Sequence, residues 1–439
     1  MNRSRWNLWL ALLAFGAAPV VWADEPPEAP ADEEAVTETV EQVGEATEAE
    51  SAVTREEAES VKVLAELTLD HNVISARMLN IPWSGRTRTF QEIRDKIDAW
   101  ADQDEIGAVM LNITNFYLPL PEVEELRQGI DRLKRAGKKV YAHLNLCGPE
   151  GYLLACAADQ VCIAPSGVVL LPGIGRAFPF MQGYYQMLGV EYDVITAGKY
   201  KYPGFLNQRE PNDYFLEEIG TMFDSWFEDY VNMVAEGRGI TPERVREFID
   251  QAAVRGADAI YLDLVDHQAF LHEFRDRILR RTGMELRQDE LIDWSQINSL
   301  QDMLNLMSRE WDRQKQAHQS IGPKIAVVTA RGPFIDVSLG PLFANVAICR
   351  DDFIRTLEDI RKDKSIKGLV VRIDSPGGSG YCSRAIYQKL MEIDATRPVV
   401  VSMGRVAASA GYHMACPARL IFAEPTTITA SIGVLGIIP

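Results

Sequence analysis

PVVVSMGRVAASAGYHMACPARL, residues 398–420, aligns without a gap on KKVYAHLNLCGPEGYLLACAADQ, residues 138–160. The match is part of a longer one, because a shift of 260 residues carries Ile106–Gly173 onto Ile366–Gly433. Coinciding positions include Ile106/Ile366, Ile113/Ile373, Gly151/Gly411, Tyr152/Tyr412, Ala155/Ala415, Cys156/Cys416, Pro165/Pro425 and Gly173/Gly433. Upstream, Lys62–Leu67 and Lys324–Thr329 correspond with a slip of two residues. Self-similarity of this length marks two copies of one structural unit. Each copy reads as α/β. In the first, strands at Val61–Leu67, Ala108–Ile113 and Lys139–Leu144 alternate with helices at Thr89–Ala101 and Pro121–Ala136. Phe90, Ile93, Ile97 and Trp100 recur at helical spacing. Such alternation predicts a parallel sheet with crossover helices.

The copies differ where chemistry is at stake. Ser409 stands opposite Pro149, Gly377-Gly378 opposite Tyr117-Leu118, and Ser431 opposite Leu171. Shared positions read as scaffold, and the exceptions fall together on potentially reactive groups. In the second copy Val399–Ser402 reads as a short buried strand, and Gly404–Ala408 as a turn into a helix that opens at Ser409. A hydroxyl at a helix start, flanked by Ala407, Ala408, Ala410 and Gly411, leaves room for a peptide. Free N–H groups there suit an oxyanion. The plainer reading is a small-residue turn packed against a neighbouring helix. Asp374–Gly380 follows the strand Gly368–Ile373, at the carboxyl end where α/β sheets place ligands. Alone, its Gly-Gly pair is an ordinary tight turn.

Composition bounds the answer from outside. The 439 residues are 47% hydrophobic and 25% charged, which suits two or three globular domains and excludes a fibrous or wholly disordered chain. The net charge of −18 divides into +2 on residues 1–23, −11 on 24–54 and −9 on the remainder. No basic stripe is present to neutralise phosphates, so no nucleic-acid partner is expected. Residues 1–23 read as a signal peptide or membrane anchor: Arg3 and Arg5, an apolar run from Leu8 to Val21, then Val21-Trp22-Ala23 before Asp24. Either way the body of the protein lies outside the cytoplasm, in the periplasm or on the outer face of the membrane. Residues 24–56, rich in Glu, Ala and Pro, read as an acidic disordered tether. Cys147, Cys156, Cys162, Cys349, Cys382 and Cys416 form no CxxC pair and lie mostly in apolar contexts, as buried thiols do. The first α/β unit takes residues 57–310, a linker 311–323, and the second unit 324–439.

Between the copies, Phe178–Leu188 is apolar, Val190–Ile195 reads as a strand, and Gly198–Gly204 as a short basic loop. Helices follow at Asp213–Gly237 and Thr241–Gln251, then an apolar segment at Ala257–Val265 and a helix through Arg281. A serine nucleophile needs a base within reach. His413, one turn beyond Ser409, runs along the same helix and reads as structural. A lysine serves if burial leaves it neutral, but lysines are too many for the sequence to choose among.

The motifs GRVAASAGY (404–412), IDSPGGSG (373–380), TITASIGV (427–434) and AGKYK (197–201) resemble the bacterial signal peptide peptidase A family, also called protease IV. The resemblance covers roughly residues 57–439. It implies a tandem repeat of Clp protease/crotonase-like α/β units, bound at the outer side of the cytoplasmic membrane, a ring-like homo-oligomer, and hydrolysis of hydrophobic peptides such as cleaved signal peptides. Neither a cofactor nor a metal is expected. On these motifs Ser409 is the nucleophile and Lys201 the general base, with Lys199 the weaker choice. The N–H groups of Gly378 and Ala410 form the oxyanion hole, supported by Gly377, and Ser431 orients Lys201, which is expected to be desolvated. Ala410 and Ala430 stand where the family usually carries Gly. That matters only if either position needs positive φ. The first copy continues for about a hundred residues beyond the point equivalent to Pro439, so the second is expected to be truncated and to lack helices over its sheet. Two competing functions stay open: a crotonase-like acyl-thioester enzyme, disfavoured by the export signal, and an exported peptide-binding pseudoenzyme or scaffold.

Overall fold

The computed structural model describes residues 61–76, 87–288, 322–340 and 346–438. The leader, the acidic tether, the unit boundaries at 57 and 310, and 311–321 of the linker lie outside the described residues. The first copy runs β1 (Val63–Leu69), α1 (Phe90–Asp102), β2 (Ile106–Ile113), α2 (Leu120–Arg135), β3 (Lys139–Cys147), α3 (Pro149–Ala155) and β4 (Gln160–Leu170). It continues with β5 (Asp193–Ala197), α4 (Asp213–Arg238) and α5 (Leu271–Thr282). The second copy comprises β6 (Lys324–Arg331), α6 (Arg350–Lys362), β7 (Ile366–Ser375), α7 (Gly380–Asp394), β8 (Val399–Ala407), α8 (Ala410–Ala415), β9 (Leu420–Phe422) and β10 (Val434–Ile438). The spacing of apolar residues in α1 has its expected cause: Phe90, Ile93, Ile97 and Trp100 are its buried face. Thr89 caps the helix from outside, its hydroxyl accepting the Glu92 N–H while the Glu92 carboxylate accepts the Thr89 N–H.

Both sheets have the same parallel order, β1-β2-β3-β4 and β6-β7-β8-β9. Glu285–Gln288 and Ala253–Arg255 extend the first sheet at its two edges. The expected α/β architecture with parallel sheets and crossover helices is therefore present. One detail of the gap-free match is not kept. Val109 pairs with Val140, whereas Leu369, its counterpart, pairs with Val399 and not Val400. The ladder then steps from Ile373–Met403 to Ser375–Ala407, two residues of β7 against four of β8. This irregularity sits just before Ser409. The strand also runs to Ala407, beyond the expected end at Ser402, because Ala407 N–H donates to Ile428 O and Ile428 N–H to Arg405 O, at 2.8 and 2.9 Å.

One face of each sheet is packed on helices. In the second copy α6 and α7 cover the face carrying Leu369, Val371, Val399 and Val401. The opposite face, aligned through Ile325, Val327, Val370, Val400 and Leu420, is open, with Ile325 and Val327 both 69% exposed. In the first copy the equivalent face is buried: Leu64, Ala108 and Met110 pack beneath Phe274 and Ile278 of α5. Each of the larger side chains in this cluster contributes about 1.5–3 kcal/mol. Among the described residues no helix packs on that face of the second sheet. All six cysteines are free, five buried and Cys416 exposed.

The copies meet through α2. Thr426 donates to Glu124 at 2.8 Å, Gln128 to Glu424 at 3.0 Å, and Arg372 bonds Glu125. Glu124 is 5% exposed, and burial, with Glu424 and Asp229 nearby, raises its carboxyl to about 7. A folded-state pKa above the unfolded value means that stability is full below about pH 4.5 and is lost as pH rises through about 7, to the extent of about 3 kcal/mol. Glu124→Gln keeps the acceptor for Thr426 and removes the charge. Its Tm is therefore expected to exceed the parent's at pH 8 and to match it at pH 4.5, measured by thermal unfolding.

Candidate active site

Ser409 sits between β8 and α8, half-buried, with φ 51° and ψ −115°. That conformation is strained for a residue with a Cβ. Its backbone is held on both sides: the N–H donates to Ala430 O at 3.2 Å and the carbonyl accepts His413 N–H at 3.0 Å. Although Ser409 is the N-cap of α8, its hydroxyl makes no capping bond. It is engaged by Lys201 instead. Lys201 Nζ donates to Ser409 Oγ at 2.7 Å and to Ser431 O at 2.8 Å, across 208 and 230 residues of sequence. Proline, with φ fixed near −65°, cannot adopt the Ser409 backbone. Pro149 therefore changes the local geometry of the first copy as well as its chemistry.

What brings Lys201 across is a two-stranded antiparallel ribbon. β5 of the first copy pairs with β10 of the second, from Asp193–Ile438 to Ala197–Val434. The strand expected at 190–195 lies at 193–197. Beyond Ala197 and Val434 the two backbones stay so close that a Cβ on Gly433 would lie 2.2 Å from Ala197 O. Gly433 accordingly has φ 145°. Lys201 itself is 8% exposed. Desolvation pushes its pKa below the ordinary lysine value, the direction expected of a buried amine. Lys199 points elsewhere, its Nζ 5.7 Å from the Tyr214 ring.

The turn after β7 closes over the serine. Ser375, fully buried, accepts the Gly377 N–H on its hydroxyl at 3.1 Å. Phe334 N–H donates to Gly377 O and Ser379 N–H to Phe334 O, both at 2.9 Å. In this parallel bridge the peptide groups on either side of Gly378 face Phe334, and the Gly378 N–H has no backbone acceptor among the described residues. The same is true of the Ala410 N–H at the start of α8. Neither Ala410 nor Ala430 has positive φ, so the substitutions of Gly by Ala cost nothing in backbone strain. Positive φ falls on their neighbours Ser409 and Ser431, at 51° and 59°.

Ser431 meets Lys201 differently from a simple hydroxyl–amine contact. Its carbonyl accepts from Nζ, while its hydroxyl donates to Lys201 O at 3.2 Å. The Glu218 carboxylate of α4 accepts a backbone hydrogen bond from Ser431, a contact that no sequence signal announced. The close backbone approaches at Gly198, whose added Cβ would lie 3.1 Å from Ile432 O, and at Gly433 were also missed, although Gly433 was visible as a glycine retained in both copies. His413 is structural as expected: its Nδ1 lies 3.0 Å from Ser383 Oγ and its ring stacks on Tyr387 at 4.9 Å.

The family model for peptidase family S49 matches residues 132–284 and 392–439, two segments whose starts are separated by the repeat shift of 260. The chain is 28% identical over 333 residues to the chloroplastic serine protease SPPA of Arabidopsis thaliana, covering 75% of this chain and 47% of that protein. It is 27% identical over 347 residues to protease 4 of Salmonella typhi, covering 77% of this chain and 53% of that protein. The chain thus spans about half the length of these relatives. Among solved structures, a mutant of the 1510-N membrane-bound stomatin-specific protease is 12% identical with a TM-score of 0.31, covering 53% of this chain and 99% of that one.

Proposed function

We propose that the chain, which the peptidase family S49 model matches over residues 132–284 and 392–439, is a serine peptidase whose dyad is split between the two copies, with Ser409 as nucleophile and Lys201 as general base. The observation that carries this reading is the 2.7 Å contact between Lys201 Nζ and Ser409 Oγ within a desolvated site. Neutral Lys201 takes the Ser409 proton as Oγ attacks the scissile carbonyl carbon. The oxyanion that forms is held by the N–H groups of Gly378 and Ala410. Lys201, now an ammonium steadied by Ser431 O, returns the proton to the leaving amine. The acyl-enzyme is then opened by a water that Lys201 deprotonates. Substrates are apolar peptides, including cleaved signal peptides. The exported chain works as a homo-oligomer at the outer face of the cytoplasmic membrane. No helix among the described residues is long and apolar enough to cross a membrane.

The test is labelling by a fluorophosphonate: a stoichiometric adduct on Ser409 supports the peptidase, and an inert Ser409 in folded protein overturns it. The pH profile is a second check. Lys201 must lose its proton to act, so kcat/KM rises with pH along a limb whose midpoint lies below the ordinary lysine value of 10.5. A limb at or above that value contradicts a desolvated base. The same shift makes folding stability increase with pH between the lowered folded pKa and the unfolded one, since the unfolded chain binds more protons there.

A further inference from the structure

A cavity of about 750 Å³ lies away from the dyad, at the place in the first copy that the Ser409 site takes in the second. The 260-residue shift identifies it: Tyr117, Pro149, Leu171 and Gly173 line the cavity, and their counterparts are Gly377, Ser409, Ser431 and Gly433. None of Ser409, Lys201, Gly378 or Ala410 lines it. Its volume is in the ordinary range for a bound ligand. The reactive groups are gone from this copy, but the hollow remains.

Three features state what fits there. First, α4 presents Phe223, Trp226, Phe227 and Tyr230 to the cavity at helical spacing. The Tyr230 hydroxyl donates to Pro149 O at 3.2 Å, which anchors this aromatic wall to the position equivalent to the nucleophile. Secondly, Ile174–Phe178 is the counterpart of β10. Where β10 is fully paired with β5, residues 174–178 make no backbone hydrogen bond among the described residues. Ile174, Gly175 and Arg176 line the cavity, so unpaired backbone donors and acceptors border an apolar hollow. An extended peptide satisfies both, by pairing along the edge and burying alternate side chains; a lipid tail satisfies only the hollow. Thirdly, three arginines line the cavity. Arg331 and Arg405 share one carboxylate, Asp374, at 3.1 and 3.0 Å. With Arg176 they put three guanidiniums in the lining against the carboxyls of Asp374 and Glu150, with Glu122 also close to Arg331 and Arg405, and burial raises the pKa values of Glu150 and Glu122 towards the neutral form. An anionic end group is complementary to that charge.

We propose that the degenerate site of the first copy is a peptide-binding exosite that takes an extended apolar peptide ending in a free α-carboxylate. Products of peptide cleavage have this chemistry. Pro376 in the cavity wall adjoins Gly377 and Gly378, so an occupant touches the loop that shapes the catalytic turn. The inference does not depend on the peptidase reading, since binding is measured without turnover.

The experiment titrates acetyl-Leu-Leu-Ala-Phe into the full chain carrying Ser409→Ala, by calorimetry. Saturable binding at one site is expected, weakened about tenfold by Trp226→Ala and by Tyr117→Ala. Tyr117 is 66% exposed, so its truncation leaves the fold intact and keeps the test valid if the Trp226 variant does not fold. The C-terminally amidated peptide is expected to bind at least about fivefold more weakly. No saturable binding up to about 1 mM overturns the proposal, as does binding that both variants leave within twofold, or equal affinity for acid and amide. Displacement of the peptide by dodecanoate with higher affinity identifies a lipid site and overturns it too. Self-association that excludes the peptide and is abolished by Tyr117→Ala, seen by sedimentation, assigns the surface to a second copy of the chain and has the same consequence.

Discussion

Lys201→Ala is expected to lower kcat/KM for an apolar fluorogenic peptide by at least about a thousandfold, equivalent to about 4 kcal/mol of transition-state stabilisation. The serine hydroxyl is a poor nucleophile unless its proton has somewhere to go, and Lys201 Nζ is the basic group in contact with it. His413, the histidine closest to Ser409 in sequence, is bound to Ser383 and stacked on Tyr387. It cannot take over the role. Ser409→Ala is expected to fall to the same floor, and the double variant no lower, because the two residues act as a unit. Lys199→Ala supplies the contrast: that ammonium lies against Tyr214, and its loss is expected to leave kcat within about twofold. Thermal unfolding separates chemistry from folding. Among the described residues Lys201 makes two side-chain hydrogen bonds, to Ser409 and Ser431, and removing a desolvated amine does not expose a core. The Tm is expected to stay close to the parent's. Undiminished turnover in folded Lys201→Ala removes lysine from the mechanism.

Much of the scaffold was legible because its signals are local and periodic. The buried face of α1, the runs in β2 and β7, and the common strand order follow from apolar periodicity and from a repeat that needs no gap. The register of β8 was not legible. Identical residues on either side, Ile113/Ile373 and Gly151/Gly411, fix the shift at 260, and nothing in a run of valines shows which valine faces which. Contrasting Ser409 with Pro149 singled out Ser409 as the candidate nucleophile, but could not reveal its positive-φ backbone. Lys201 was beyond local reasoning altogether. Its approach depends on β5 and β10 pairing across the two copies, two short exposed strands with no polar and apolar alternation to show a shared core. Only the motif AGKYK distinguished it from other lysines. The role of the Ser431 carbonyl was hidden for a simpler reason, since every residue has one.

Gly377→Ala is expected to cost about a hundredfold in kcat with little change in KM, although it alters only a methyl group. Gly377 has φ 106°, a conformation that residues with a Cβ rarely adopt. Strain of that kind costs about 1–3 kcal/mol. The added Cβ would also lie 2.7 Å from Ser409 Cβ and 3.1 Å from its Oγ. Since Ser409 is itself held at positive φ between Ala430 and His413, it has little freedom to withdraw, and the methyl displaces the hydroxyl from Lys201 Nζ. Displacement of reacting atoms by about 1 Å is enough for a hundredfold loss. Substrate contacts remote from the turn are unaffected, so the loss falls on kcat. Gly380→Ala is the control: it lies three residues further on at the start of α7, nothing is within 4 Å of its added Cβ, and its φ is not positive. It is expected to keep full activity. Steady-state kinetics on the two variants decides the matter. Equal activity in both detaches the Gly377 turn from the nucleophile, whereas a selective loss of kcat at Gly377 ties the glycine pair of the second copy, replaced by Tyr117-Leu118 in the first, to the reaction at Ser409.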